Sequence, residues 1–541
     1  MRIFGPAVNG RRGPGSEQGV SEKLFKNTAT VGGMTLISRV LGLVRDMVFA
    51  RFGVGPGMDA FFVAFKIPNF MRRLFAEGAF SQAFVPVLAE YKKQRSHEEV
   101  RSLLDRVAGT LIGVLGLLTL LGVLGSPVLV TLFAPGFLDQ PEKFALTADL
   151  LSITFPYLML ISLVAMVAGI LNTWGRFAAP AFAPVWLNVV LIGAALLVAP
   201  RLEEPMLALA WGVLLSGVVQ LLFLLPSLAR LRLMPRPRWG WRDSGVRKIL
   251  RLMGPGILGS SVAQINLLFD TLIASFLITG SVSWLYYSDR LVEFPLGIFG
   301  IALATVILPS LSRHHAAADP DQFARTLDSG LRWVLLIGLP AAVGLALLAA
   351  PTLATLFLYG DFTPHDVRMA SLSLIAYSLG LPGFMLVKIL APAFYARQDM
   401  RTPVKVAVVA LISNMVLNIL FVVPWVLLAY AGPHAGLALA TSIAAYVNAG
   451  LLYRYLRKQE AYHPLAGWGP WLARIALATL ALALVVGLGA PALEQWTQWS
   501  ALQRAGHLLL WVLAGAVTYL LVLRLLGMKL RHLWAPTRMN P

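Results

Sequence analysis

The sequence predicts an all-α polytopic membrane protein of about fourteen transmembrane helices, arranged as two similar six-helix lobes plus a C-terminal helix pair. Three observations carry this expectation. Of 541 residues, 57% are hydrophobic and only 13% charged, roughly half the charge of a soluble domain, in which about 25% is usual. Apolar runs of roughly 20 residues, the length that crosses a bilayer, recur along the whole chain. Runs such as 111–124 and 475–488 also lack the in–out alternation of a barrel strand. Lipid cannot satisfy backbone polar groups, so such runs must satisfy their own as helices.

The segment 1–22 is rich in Gly, Pro and Arg and holds no apolar stretch of the kind a secretory signal needs. It is expected to form a disordered, uncleaved cytoplasmic tail. Apolar runs between polar breaks then predict spans at 27–50, 58–76, 106–133, 150–172, 182–199 and 206–229. A second set follows at 250–279, 284–309, 330–357, 369–396, 404–428 and 435–453, and a last pair at 471–490 and 506–527. The run 78–92 (GAFSQAFVPVLAEYK) reads instead as an amphipathic helix at the membrane surface.

Sliding the chain against itself until Pro127 falls on Pro351 reveals an internal repeat. PVLVTLF (127–133) then matches PTLATLF (351–357), and the same offset puts Asp46 on Asp270, Lys66 on Arg290 and Gly136 on Gly360. The expected divisions are therefore a tail (1–22), an N-lobe (23–230), a C-lobe (231–458), and a C-terminal helix pair with its tail (459–541). An even number of helices per repeat makes the repeats parallel, an arrangement in which transporters hold substrate between the halves.

Charge placement sets the expected orientation. Of 45 Lys and Arg, 35 lie in the N-tail, the C-terminal end and the even-numbered loops, and five (Arg51, Lys143, Arg201, Arg368, Arg504) in the odd-numbered ones. The positive-inside bias then puts both termini in the cytoplasm. The net charge of +19 is thus a topology signal and an anionic-lipid contact. With no compact basic domain to carry it, it is not a nucleic-acid footprint.

Five basic residues (Arg39, Arg45, Lys66, Arg290, Lys388) and five acids (Asp46, Asp59, Asp270, Asp289, Glu293) fall inside apolar spans. There a charge costs at least about 2.5–3.5 kcal/mol at mid-depth, which marks function or pairing. Helical spacing puts Arg39 with Asp46, and Asp59 with Lys66, on common faces; Arg290 and Glu293 are neighbours at i,i+3. Two readings follow: ion pairs that lock helices together, or a hydrated cavity that binds an anion, with Arg72 and Arg73 at its cytoplasmic mouth. Arginine suits bidentate phosphate recognition. The Gly32-Gly33, Gly42, Gly254-Pro255-Gly256 and Gly297 positions would permit bending in the first helices of each lobe.

Enzyme signals are poor. The chain has no cysteine, which excludes thiolate chemistry and disulfides. No HExxH, GxSxG or Walker A motif is present.

Several motifs carry a specific resemblance. SRVLGLVRD (38–46), DAFFVAFKIPNFMRRLFAEGAFSQAFVPVLAEYK (59–92), APGF (134–137), ITFPY (153–157) and LNTWGRFAAPAFAP (171–184) resemble the MviN/MurJ-type lipid II flippases. So do GSVSWLYYSDRLVEFPLGIFG (280–300) and FYARQDMRTPVK (394–405). The resemblance spans about residues 23–530 and implies the fold of the multidrug/oligosaccharidyl-lipid/polysaccharide exporter superfamily. It also implies translocation of lipid II between leaflets of the inner membrane for cell-wall synthesis. Cavity residues Arg39, Arg45, Asp59, Arg72, Arg290 and Glu293 are implied as essential, with the basic ones on the diphosphate; Lys66 and Arg73 join the expected site by position. The same resemblance implies a sodium site at Asp270, Asn414, Asn418 and Thr441, and a groove for the lipid tail along the last two helices. No organic cofactor is expected, and Na+ or the membrane potential would drive a monomeric transporter. An exporter of drugs or of another polysaccharide lipid, and a membrane-embedded polyprenyl-phosphate transferase, stay open as alternatives.

Overall fold

The computed structural model describes residues 14–528, with side-chain surroundings from residue 30 onward except at 75–78, 255–256, 258–260, 262–263 and 299–306. The first lobe comprises α1 (Pro14–Ala50), α2 (Pro56–Met71), α3 (Ser81–Gln94), α4 (His97–Leu124), α5 (Ser126–Phe133), α6 (Pro141–Thr154), α7 (Tyr157–Thr173), α8 (Ala178–Gly193) and α9 (Pro205–Arg230). The second comprises α10 (Ser244–Ser275), α11 (Ser281–Pro295), α12 (Ile301–Ala316), α13 (Pro320–Leu347), α14 (Ala349–Phe357), α15 (Pro364–Ala396), α16 (Arg401–Leu427) and α17 (His434–Lys458). After them come α18 (Trp468–Gly489), the short α19 (Leu493–Gln498) and α20 (Ala501–Leu525).

Local chemistry explains the helix starts. Pro stands in the first turn of α2, α6, α9, α13 and α15, where its missing N–H costs nothing. Ser96 with Glu99, Thr363 with Asp366 and Ser500 with Gln503 form reciprocal capping boxes. Each such cap contributes about 1 kcal/mol.

Among the described residues, ten helical segments are long and apolar enough to cross a membrane. The other four expected spans, on α1, α2, α10 and the α11–α12 pair, hold nine of the ten intramembrane charges. Outward rows such as Ile412, Val416, Ile419, Val423 and Leu427 on α16 are about half or more exposed. A belt of that extent marks a lipid-facing surface, so the chain is a multi-pass membrane protein.

The repeat is visible in the breaks as well as in the helices. Both long apolar runs, 106–133 and 330–357, divide before a short helix, α5 or α14. A π-helical turn follows α2 from Arg72, and another follows α11 from Leu296 at the offset of the repeat. The expected surface helix is α3, which continues α2 through this turn and buries Ala83, Phe84, Val87 and Leu88. Residues 1–13 of the expected tail lie outside the described residues. From Pro14 onward, within that tail, the chain is already helix α1.

Within lobes, α1 packs on α8, α2 on α6 and α7 on α9, while α15 packs on α13 and α17. The C-terminal pair rests on the second lobe, α18 against α13 and α20 against α14. Two buried hubs fasten it. Asp328 accepts from Tyr462 Oη (2.6 Å), Trp468 Nε1 (2.8 Å) and Arg332 Nε (2.7 Å). At the other end Arg504 donates to the carbonyls of Ala354 and Leu358 at 2.8 and 3.0 Å, satisfying acceptors left over at the end of α14.

Candidate functional site

A cavity of about 430 Å³ lies between the lobes. Of the residues expected to bind substrate, Arg45, Lys66, Arg72, Arg73, Arg290 and Glu293 line it. Lys66 and Arg290, equivalent in the repeat, come from opposite lobes and both face it. Lys388 is exposed and does not line it.

Two of the cavity's arginines meet at one carboxylate, that of Asp46, which is buried behind the lining. Arg45 donates from Nε and Nη2 to Asp46 Oδ1 at 3.0 and 2.7 Å, and from Nη1 to Asn188 Oδ1 at 3.1 Å. From the other lobe, Arg290 Nε stands 3.4 Å from Asp46 Oδ2, while its Nη1 donates to Glu293 at 2.8 Å. Tyr286 completes the join: its hydroxyl donates to Asp46 Oδ1 at 2.9 Å and accepts from Arg45 Nη2 at 3.1 Å. Its ring stacks on Phe62 of the first lobe at 3.9 Å and lies under the Arg290 guanidinium at 5.0 Å. Two guanidinium groups thus converge on one anion, each from a different lobe.

Two expected pairings are corrected. Asp46 pairs with Arg45 and Arg290 rather than with Arg39. Arg39 instead lays its guanidinium directly over Gly297 and is not in the cavity lining. Asp59 does not pair with Lys66 and does not line the cavity. It is 1% exposed and accepts from Lys143 Nζ (2.9 Å), Gly280 N (2.8 Å), Ser283 N (3.0 Å) and Ser283 Oγ (2.6 Å). The last three donors belong to the start of α11, whose unpaired N–H groups and positive dipole end favour an anion. Asp59 therefore joins the lobes as a latch.

Other contacts close the same side. Asp361 N donates to Arg51 O at 3.1 Å, and Gly136 N donates to Ser275 Oγ at 3.0 Å. Gly53 and Gly360 (φ +71° and +62°) let the two backbones approach there, since a Cβ on either would collide with the opposing chain. The latch lies at the charge-poor end of the bundle. Toward the opposite end, where the basic loops are, exposure of the lining rises, and Arg73 is exposed.

A second polar cluster sits in the wall of the second lobe. Asp270 Oδ1 accepts from Asn418 Nδ2 at 2.7 Å, and Thr441 Oγ1 donates to Asp270 Oδ2 at 3.3 Å. The Asn414 amide lies 3.0 Å from Thr441 Oγ1. Asp270 and Thr441 line the cavity; Asn414 and Asn418 are buried behind them. Asn418 Oδ1 is buried with no hydrogen-bond partner. One carboxylate, one hydroxyl and amide oxygens, the unpartnered Asn418 Oδ1 among them, make this an all-oxygen acceptor set of the kind that hard cations take.

Lys143, Asn188 and Tyr286 were not expected at the site. Lys143 reads as a loop residue, and the partners of Asn188 and Tyr286 lie far away in the chain, on α1. A buried Asn amid apolar neighbours in 182–199 is the one local signal available for Asn188.

Two similar helical lobes, a polar cavity between them and a latch on one side define a membrane transporter. The sequence model described as lipid II flippase MurJ matches residues 48–505, and the chain belongs to that family. A relative from Vibrio cholerae, described as a probable lipid II flippase MurJ, is 51% identical over 96% of this chain and 99% of its own length. One from Haemophilus influenzae with the same description is 47% identical over 92% and 99%. A solved lipid II flippase MurJ in an inward closed conformation superposes with a TM-score of 0.77 at 28% identity, covering 94% of this chain and 99% of that one. An inward-facing multidrug transporter of the MATE family shares the fold, with a TM-score of 0.62 at 16% identity over 80% and 98% of the two chains.

Proposed function

We propose that this chain carries lipid II, the undecaprenyl-diphosphate-linked peptidoglycan precursor, from the cytoplasmic to the periplasmic leaflet by alternating access of its two lobes. The observation that carries this reading is the convergence of Arg45 and Arg290, from different lobes, on Asp46 in a cavity latched on one side. Guanidinium forks match phosphate oxygens, and Lys66, Arg72 and Arg73 extend the positive charge along the lining. A diphosphate entering the cavity competes with Asp46 for both arginines, so binding loosens the tie between the lobes.

The basic loops face the cytoplasm, as the charge bias requires, and so do both termini. The Asp59 latch then seals the periplasmic side of an inner-membrane protein. Arg72 and Arg73 stand toward the cytoplasmic entrance, and the polyprenyl tail stays in lipid along α18 and α20. Asp270, Asn414, Asn418 and Thr441 would hold a sodium ion, which would supply positive charge between α10, α16 and α17. Sodium or the membrane potential drives the cycle; one charge moved through about 100 mV is worth about 2.3 kcal/mol. The protein acts as a monomer and leaves lipid II covalently unchanged.

The test is depletion in cells, with complementation, followed by a leaflet-accessibility assay for lipid II. Depletion should leave lipid II inaccessible from the periplasm, and wild-type protein should restore access. Unaltered accessibility on depletion, or covalent conversion of lipid II by the purified protein, would refute the reading.

A further inference from the structure

The segment joining the lobes, 231–243, is a built surface that the proposed transport cycle does not use. It leads into the second lobe but packs on the first. Asp105 of α4 accepts from Arg236 N through its carboxylate (2.6 Å) and from Arg238 N through its carbonyl (2.9 Å). Gly240 N donates to Thr110 Oγ1 at 3.3 Å, and Asp243 pairs with Arg106. The Arg238 backbone sits against Gly109, and the Trp239 indole lies on Gly113, where an added Cβ would be 2.5 Å from the ring. A Gly-x-x-x-Gly face, which often receives a second helix, here receives this strap.

What the strap displays has two chemical characters. Trp239 and Trp241 stack at 6.3 Å with planes 10° apart, and are 65% and 46% exposed. They sit where α4 changes from charged (Arg101, Asp105, Arg106) to a charge-free, mainly apolar stretch, with Val114, Leu117 and Leu121 exposed beyond them. Beside the rings Arg232, Arg236, Arg238 and Arg242 are all exposed, and among the described residues none of the four forms an ion pair. Tryptophan at the polar–apolar boundary anchors a protein in the headgroup layer. Juxtamembrane arginines attract anionic lipid.

We propose that the 231–243 strap is a binding site for anionic phospholipid, with the tryptophan pair seated at the acyl–headgroup boundary and the four arginines on phosphate-bearing headgroups. A soluble acidic partner would satisfy the arginines but leave the rings, at the level of the apolar α4 face, uncovered. Because Asp243 also caps α10, lipid held here fixes the start of α10 against α4.

The experiment reconstitutes the full-length protein in nanodiscs of phosphatidylcholine with a minor share of phosphatidylglycerol and measures the lipids retained on release, by mass spectrometry. Phosphatidylglycerol should be enriched over its bulk fraction in the wild type. Changing Arg232, Arg236, Arg238 and Arg242 together to Gln should reduce the enrichment by at least about tenfold, while changing all four to Lys should retain most of it. W239A/W241A should weaken retention without changing headgroup preference. Unchanged enrichment in the Gln variant, retention of the two lipids by the wild type in proportion to their bulk fractions, or capture of an acidic peptide by the strap in place of lipid, would overturn the proposal. Thermal unfolding in detergent confirms that the variants are folded.

Discussion

Asp59 on α2 accepts a 2.6 Å hydrogen bond from the Ser283 hydroxyl on α11, with Ser283 N on the same oxygen at 3.0 Å. The two lobes are therefore joined by a buried carboxylate and a helix start. Lys143, from the same lobe as Asp59, supplies its countercharge at 2.9 Å. A charge held this way can leave α11 without being stranded, which makes the latch reversible.

Weakening the latch should open the charge-poor side. Hydrogen bonds to a charged group contribute about 1.5–3 kcal/mol, so Asp59→Asn should shift the open population roughly tenfold or more, and Ser283→Ala should shift it less. The measurement is the labelling rate of a cysteine placed at Thr279 by an impermeant thiol reagent, against a chain with no native cysteine. Equal rates in wild type and Asp59→Asn would remove the latch role.

The same labelling tests orientation. A cysteine at Gln140 should react in intact spheroplasts and one at Ser96 should not. The reverse pattern would invert the proposed topology.

Arg290→Ala should abolish lipid II flipping while the protein still inserts, and Arg290→Lys should rescue it only partly, because the planar fork is lost. Breaking a buried pair by removing one partner costs about 3–5 kcal/mol through the charge left behind, so the double variant Arg45→Ala/Asp46→Ala separates two roles. If Arg45 engages substrate, the double variant stays inactive. Recovery of flipping there would reduce Arg45 to a partner for Asp46.

Cation binding at Asp270 should appear as stabilisation. A site filled at about 100 times its Kd adds about 2.7 kcal/mol, so the melting temperature should be higher in sodium chloride than in choline chloride. Asp270→Asn should abolish that difference without unfolding the protein. An equal sodium effect in the variant would place the ion elsewhere.

The C-terminal pair offers a pH test. Burial, then the hydrogen bond to Asp328, push the Tyr462 hydroxyl well above the ordinary tyrosine range. A raised folded-state pKa keeps its contribution intact below the unfolded value, near pH 10, and loses it as pH rises beyond. The Tyr462 contribution to thermal stability should thus be flat below about pH 10 and fall above it, and Tyr462→Phe should flatten that fall. Protease cleavage within 459–467 reports whether the loss lies at this joint.

What the sequence by itself determined is the part of the protein set by local physics. Apolar length and the absence of alternation specify helices across lipid, and a capping pair such as Ser96 and Glu99 starts one wherever it falls. The repeat was equally legible, since both the short helices α5 and α14 and the two π turns recur at the offset that aligns Asp46 with Asp270. Six of the eight expected substrate residues line one cavity because a charge in a membrane span is costly against lipid and is driven toward a polar interior. Partner choice was decided only by the tertiary structure. Adjacent helix positions point about 100° apart, so nothing in the order Arg45-Asp46 indicates that they pair; Asn188 and Tyr286, from other helices, steer the guanidinium back. Helical spacing allowed Asp59 to meet Lys66, but packing of α2 on α6 and of α11 across the lobe boundary offered it Lys143 and the N–H groups of an α-helix start instead. Such donors are properties of a fold and not of any residue, so they exist only once the two lobes have met.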